Sequence, residues 1–124
     1  MDLLFWTYLI NAVILINHEI DSAYWQEWKL IKPNDKNGIN GFVILHFPMV
    51  FLVLLGLVLV YEHKLSGMII SLVLAASGIY AFIFHFYFIR KGRPEFNTLL
   101  SKGMLFATLL VSIFQIIITF LKMR

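Results

Sequence analysis

The sequence predicts an all-α, polytopic membrane protein: an antiparallel bundle of four transmembrane helices in a single domain spanning residues 1–124. Three observations carry that expectation. The chain is 60% hydrophobic and only 14% charged, with a mean hydropathy of +0.85, whereas soluble domains run nearer half apolar and a quarter charged. Its apolar residues fall into four long runs, each near the ~20 residues that cross a bilayer as a helix. No segment alternates apolar and polar residues as a transmembrane barrel strand does.

The first helix is expected over about 3–28, opening on Leu3-Leu4-Phe5-Trp6 and closing at Trp28. It lacks both a basic leader and a small-residue cleavage site, so it reads as a retained span rather than a removed signal peptide. The second helix is expected over about 42–61, after the polar stretch Lys32-Pro33-Asn34-Asp35-Lys36-Asn37-Gly38, whose Pro and Gly favour a turn. Pro48 is expected to kink it. The third runs over about 65–90, entered through the tight turn Glu62-His63-Lys64 and left through Arg90-Lys91-Gly92-Arg93-Pro94. The fourth is expected over about 96–122, with Pro94 available to open it. Short connections favour antiparallel neighbours.

Lys29, Lys32, Lys36, Arg90, Lys91 and Arg93 belong to the first and third connections, against Lys64, Lys122 and Arg124 on the other side. The positive-inside rule therefore puts those two connections in the cytoplasm and both termini outside a bacterial inner membrane. The pI of about 9.3 arises from these flanks, which suit anionic lipid headgroups rather than nucleic acid.

Against this background His18, His46 and His85 stand out. Ionisable groups at bilayer depth are costly and mark functional centres. Each lies in the leaflet next to the basic connections, His18 within the polar run Asn17-His18-Glu19-Ile20-Asp21-Ser22. His18 and Asp21 are neighbours at i,i+3, with Asn11, Ser22 and Trp25 near the same stripe and Asn17–Asp21 an i,i+4 pair. On the third helix Ser71, Gly78 and His85 recur every seven residues beside Ala75, a stripe that admits close helix approach. On the fourth, Ser101, Thr108, Ser112, Gln115 and Thr119 share a face. That face reads first as interhelical hydrogen-bonding surface, with Thr108 or Ser112 as the members placed to support a site.

Three imidazoles and a carboxylate make a suitable ligand set for zinc first, and for iron or manganese next. His18, Asp21, His46 and His85 are therefore the expected metal ligands, supported by Asn17, Ser22, Thr108 and Ser112, with Glu19 as general base. A ferritin-like dinuclear centre asks for more carboxylates than the chain offers, and a haem between His46 and His85 would sit near one membrane edge. A packing network built on the same groups is the competing reading. His63, beside Glu62 and Lys64, reads as solvated; Trp25 and Trp28 read as interfacial anchors. The run Phe82 to Phe88 reads as packing surface, and Glu27 as a solvated helix end.

His18-Glu19-Ile20-Asp21-Ser22, then Glu27-Trp28-Lys29-Leu30, then Leu45-His46-Phe47-Pro48 resemble a group of small bacterial four-helix membrane proteins of unknown function. These carry a His-Glu-x-Asp element, a Glu-Trp-Lys/Arg element and a Leu-His-x-Pro element. His85 ahead of a basic, Asn-containing turn fits the same outline. The chain is similar in outline to the HXXEE-motif membrane proteins as well, with Asp21-Ser22 standing where those have two Glu. The resemblance implies that His18, Asp21, Glu27, His46 and His85 act as a set, which moves Glu27 from the solvated end to a catalytic candidate beside Glu19.

Three functional classes fit these residues. The first is a metal-binding membrane enzyme, a hydrolase or oxidoreductase, acting on a lipid or other apolar substrate near the cytoplasmic leaflet; a metal-free version would move protons through His18 and Glu19. The second is an oligomeric proton or ion relay. The third is a small subunit or partner-binding protein whose polar centre fixes helix packing.

Overall fold

The computed structural model describes residues 1–124 and is all-helical. Four helices are long and apolar enough to cross a membrane: α1 (Leu3–Tyr24), α3 (Gly38–Tyr61), α4 (Leu65–Arg90) and α5 (Leu99–Met123); a one-turn helix, α2 (Trp28–Ile31), lies between the first two. They pack as a four-helix bundle in the ring order α1–α3–α4–α5, with α1 and α4 also meeting across the diagonal.

Three connections are built alike. After α1, Gln26 takes a left-handed φ of 54°, and Gln26 and Glu27 donate their N–H groups to the carbonyls of Ala23 and Ser22. After α3, His63 (φ 55°) does the same, with bonds from His63 and Lys64 to Val60 and Leu59. After α4 the position is Gly92 (φ 79°), with bonds from Gly92 and Arg93 to Ile89 and Phe88. Each is a Schellman stop, in which one left-handed residue lets two N–H groups satisfy the helix's last carbonyls. The first of them ends α1 four residues short of the Trp28 expected from sequence. Gln26 carries no Gly or Pro signal, and a left-handed non-Gly residue is costly enough that sequence does not announce it.

The other boundaries shift for similar local reasons. α3 starts at Gly38, through the weak helix formers Gly38-Ile39-Asn40-Gly41, with the Asn40 and Gly41 N–H groups bonded to the Asn37 carbonyl. Pro48 lies inside α3 without ending it. α5 starts at Leu99, not at Phe96, and its N-cap is Thr98, whose hydroxyl accepts the Ser101 N–H at 3.0 Å; Pro94 stays in the connection.

A polar ladder holds α1, α4 and α5 together. Asn11 donates to Gln115 Oε1 at 2.8 Å and Ser112 Oγ at 3.0 Å, and accepts from Thr108 Oγ1 at 2.9 Å. Gln115 donates to the Ser71 carbonyl and hydroxyl, and Thr119 closes the set against Ser71 and the Gln115 carbonyl. Every member is fully buried. In lipid these bonds supply what the hydrophobic effect cannot, a reason for helices to prefer one another over acyl chains. Gly78 is where the ladder's helices touch: a Cβ there would run into Ser112 Oγ and Thr108 Oγ1.

α3 is attached differently. Its only buried residues are Gly56 and Val60, in its final turns. There Tyr8 donates its hydroxyl to the Val53 carbonyl at 2.8 Å, and Gly67 of α4 packs against the Leu59–Val60 backbone without room for a Cβ. From Gly38 to Leu55 no residue of α3 is buried. The helix is pinned at one end of the bundle and open at the other. The pinned end also carries Asp2, which caps α1 and accepts from Lys122 at 2.5 Å. The open end carries the α1–α3 and α4–α5 connections.

Candidate functional site

At the open end a cavity of about 530 Å³ separates α3 from α1, α2 and α4. His18, Glu19, Glu27, His46 and His85 all line it. Five of the six residues named from the sequence as metal ligands or catalytic groups thus reach one chamber, from three elements and one connection.

Each arrives for a local reason. His18 and Glu19 are adjacent on α1 but project about 100° apart, so His18 turns into the bundle and Glu19 toward α3. His18 is 1% exposed. His85 ends the small-residue stripe of α4, which brings that helix close; it is 2% exposed, and the two imidazoles meet edge to face at 4.6 Å between ring centres. Their Nδ1 atoms are both buried without a hydrogen-bond partner. Glu27 comes from the Schellman stop, which swings the chain back beneath the bundle and sets its carboxylate 3.5 Å from His85 Nε2. Glu27 is thus part of the cavity wall, not a solvated helix end. Burial, then the neighbouring Glu19 carboxylate, push its carboxyl up to about 7, with the nearby Ser22 hydroxyl and then His46 opposing.

His46 forms the tightest contact of the site. Its Nδ1 lies 2.6 Å from the Phe42 carbonyl and its Nε2 lies 2.7 Å from Glu19 Oε2. A carbonyl only accepts, so Nδ1 carries hydrogen and donates. The Nε2–Oε2 contact then needs one proton of its own, held by imidazolium or carboxylic acid. His46 and Glu19 therefore form a dyad joined by one shared proton.

A second, narrower cavity of about 220 Å³ begins at this dyad and continues toward the middle of the bundle between α1, α3 and α4. Leu15, Glu19, His46, Met49 and Ser77 line both spaces. Beyond them the slot is walled by apolar side chains such as Val53, Ile70 and Leu74. Leu52 and Val73 on its rim are 50% and 60% exposed, so it faces the lipid side of the bundle.

Several expectations from sequence are corrected by this geometry. Asp21 is not in the cavity; it accepts from Trp25 Nε1 at 3.1 Å through Oδ1, and its Oδ2 is buried without a partner. Asn17 does not pair with Asp21 but donates to the Val13 carbonyl on an exposed face. Thr108 and Ser112 bond Asn11 in the ladder rather than a histidine. Ser22 is buried on the His18 side of α1, its hydroxyl unbonded. No three His, Asp or Glu side chains converge as metal ligands do. Trp28, expected as an interfacial anchor, lines the chamber and packs on Phe42 at 5.6 Å.

Phe96 is the site residue that sequence reasoning missed. Expected as the first residue of a helix, it instead takes a left-handed φ of 62° and is fully buried. Its ring covers His85 at 4.0 Å and His18 at 5.8 Å, closing the imidazole pair on the side away from the chamber. A lone Phe beside a turn carries no periodic signal that would mark it.

Fold and site together define a class: a multi-pass membrane protein, a four-helix bundle with an ionisable chamber opening into an apolar slot at one end. Within that class the chain belongs to a family of unknown function, DUF6713, whose pattern it matches over residues 4–122. No curated protein and no solved structure matches it.

Proposed function

We propose that this membrane protein binds an amphiphilic lipid at the edge of one leaflet and performs acid–base chemistry on its head, with Glu19 and His46 as the proton-transferring pair. The observation that carries this reading is the position of the dyad, which lies at the seam between the polar chamber and the apolar slot. A head in the chamber and a chain in the slot would bring the reacting atoms to it. General acid–base groups need a transferable proton within hydrogen-bond reach of the substrate, and the dyad carries one. Glu27, held near His85, is the second group able to give or take a proton in the chamber. The His-Glu-x-Asp and Leu-His-x-Pro elements of the resembling bacterial proteins supply His18, Glu19 and His46 to the same space, as a shared site requires. On this reading the chamber lies at the cytoplasmic face of the inner membrane, a side that the basic residues beside it favour.

The test is made in deuterated water. Vesicles of a bacterial total lipid extract, with and without the reconstituted protein, are incubated and their lipids analysed by mass spectrometry. The expected result is one lipid class that gains deuterium on carbon or changes mass, with loss of that change in Glu19→Gln and His46→Gln. Identical lipid profiles with and without the protein would overturn the proposal.

One observation favours a second reading. The unpartnered Nδ1 atoms of His18 and His85, on helices that meet across the diagonal of the bundle, are what a divalent metal would satisfy, zinc first and iron or manganese next. Bound metal in the purified protein that is lost in both His18→Ala and His85→Ala would support it.

A further inference from the structure

The charge inside the chamber opposes the charge around it. Lys29, Lys32, Lys36, Arg90, Lys91 and Arg93 crowd the two connections at this end, yet no Lys or Arg lines the cavity, whose ionisable walls are Glu19, Glu27, Asp35 and the three imidazoles. Carboxylates gathered in a partly enclosed space repel one another; the proton shared with His46 offsets Glu19, and a cation relieves what Glu27 and Asp35 add. Two further observations point the same way. The buried Nδ1 atoms of His18 and His85 have no partner. Trp28, Phe42, Tyr80 and Phe84 supply aromatic surface to the same walls, and aromatic faces attract ammonium groups.

The slot limits the rest of the ligand. It is apolar, opens to the lipid side, and at about 220 Å³ takes one chain rather than two. A chain gains little by leaving lipid for such a slot, since lipid tails are as apolar as the slot's own side chains. The head therefore decides affinity, and the slot decides chain number.

We propose that the ligand is a single-chain amphiphile with a primary ammonium head, its nitrogen held among Glu19, Glu27 and the chamber's imidazoles and its chain in the slot. A primary ammonium brings three N–H donors, which the carboxylates and the unpartnered nitrogens of His18 and His85 accept; a trimethylammonium head offers none. This inference rests on the reading of the two cavities as one amphiphile site and adds the chemistry of the head.

The experiment uses the full chain in phosphatidylcholine nanodiscs, with histidine side-chain ¹⁵N signals as the readout. Dodecylamine is titrated beside dodecanoate, dodecanol, dodecyltrimethylammonium and didodecylamine. Dodecylamine is expected to shift the His18, His46 and His85 signals at a concentration about tenfold or more below the others, the scale of a charge-assisted hydrogen bond. Glu27→Gln should weaken it about tenfold. Val53→Trp, which fills the slot and leaves the chamber intact, should weaken it as well, with folding of both variants checked by circular dichroism. Equal or tighter binding of dodecanoate or dodecanol would overturn the ammonium head while leaving the amphiphile site standing. Histidine shifts with zinc ions but with none of the five amphiphiles would overturn both.

Discussion

Replacing Glu27 with Gln tests the electrostatics of the chamber directly. The Glu27 carboxyl has an ordinary value of 4.5 and is pushed up to about 7, first by burial and then by Glu19. A carboxyl raised on folding favours the folded state while protonated, so its contribution is fully present below 4.5, the unfolded value, and is lost as pH rises through about 7. At 1.36 kcal/mol per pH unit, that interval corresponds to about 3 kcal/mol. The side chain is 22% exposed, and solvent screening trims the figure to about 2 kcal/mol. Gln keeps the shape and the polar contacts without the charge. Wild type and Glu27→Gln should therefore unfold at similar temperatures in detergent near the acid end. By about pH 8 the variant should be the more stable by about 2 kcal/mol, several degrees for a chain of this size. Intrinsic fluorescence reports the transition, since Trp25 and Trp28 flank the site. Parallel pH profiles for the two proteins would refute the reasoning, because they would mean that Glu27 is solvated in the fold.

Two further predictions concern the scaffold. Asn11→Ala strands partners on Thr108, Ser112 and Gln115 and should cost about 2 kcal/mol in detergent stability, given ~0.6 kcal/mol for an average interhelical bond in a membrane protein; an unchanged melting temperature would remove the ladder as the bundle's fastener. Gln26→Gly relieves a left-handed non-Gly residue (φ 54°) and should stabilise by about 0.5–1 kcal/mol, read in the same melting assay, whereas a loss would show that the Gln side chain matters more than its backbone.

Much of the architecture was legible because the bilayer restricts what a chain can do. Backbone groups in lipid must be satisfied within a helix or closed barrel, so length and hydropathy alone located the spans, and α4 runs over the residues expected of it, Leu65–Arg90. The buried faces were legible for the same reason. Ser71, Gly78 and His85 on α4, and Ser101, Thr108, Ser112, Gln115 and Thr119 on α5, are all buried, since polar groups on a lipid-facing surface are penalised. What misled was local. Gln26 and Phe96 turn the chain through left-handed conformations without Gly, and each carried a predicted helix boundary past its real position.

Hydropathy and helical period act on each segment alone, and they suffice for a four-span membrane protein with His18, His46 and His85 toward one end. Which side chains meet there is a matter of tertiary packing. Asp21 faces Trp25 rather than the cavity, and Glu27 enters the cavity because of one Schellman stop. Glu19 finds His46 because α3 is pinned at Gly56 and Val60 and stands open at its other end. Contacts of that kind depend on how neighbouring helices are held, and no single segment carries that information.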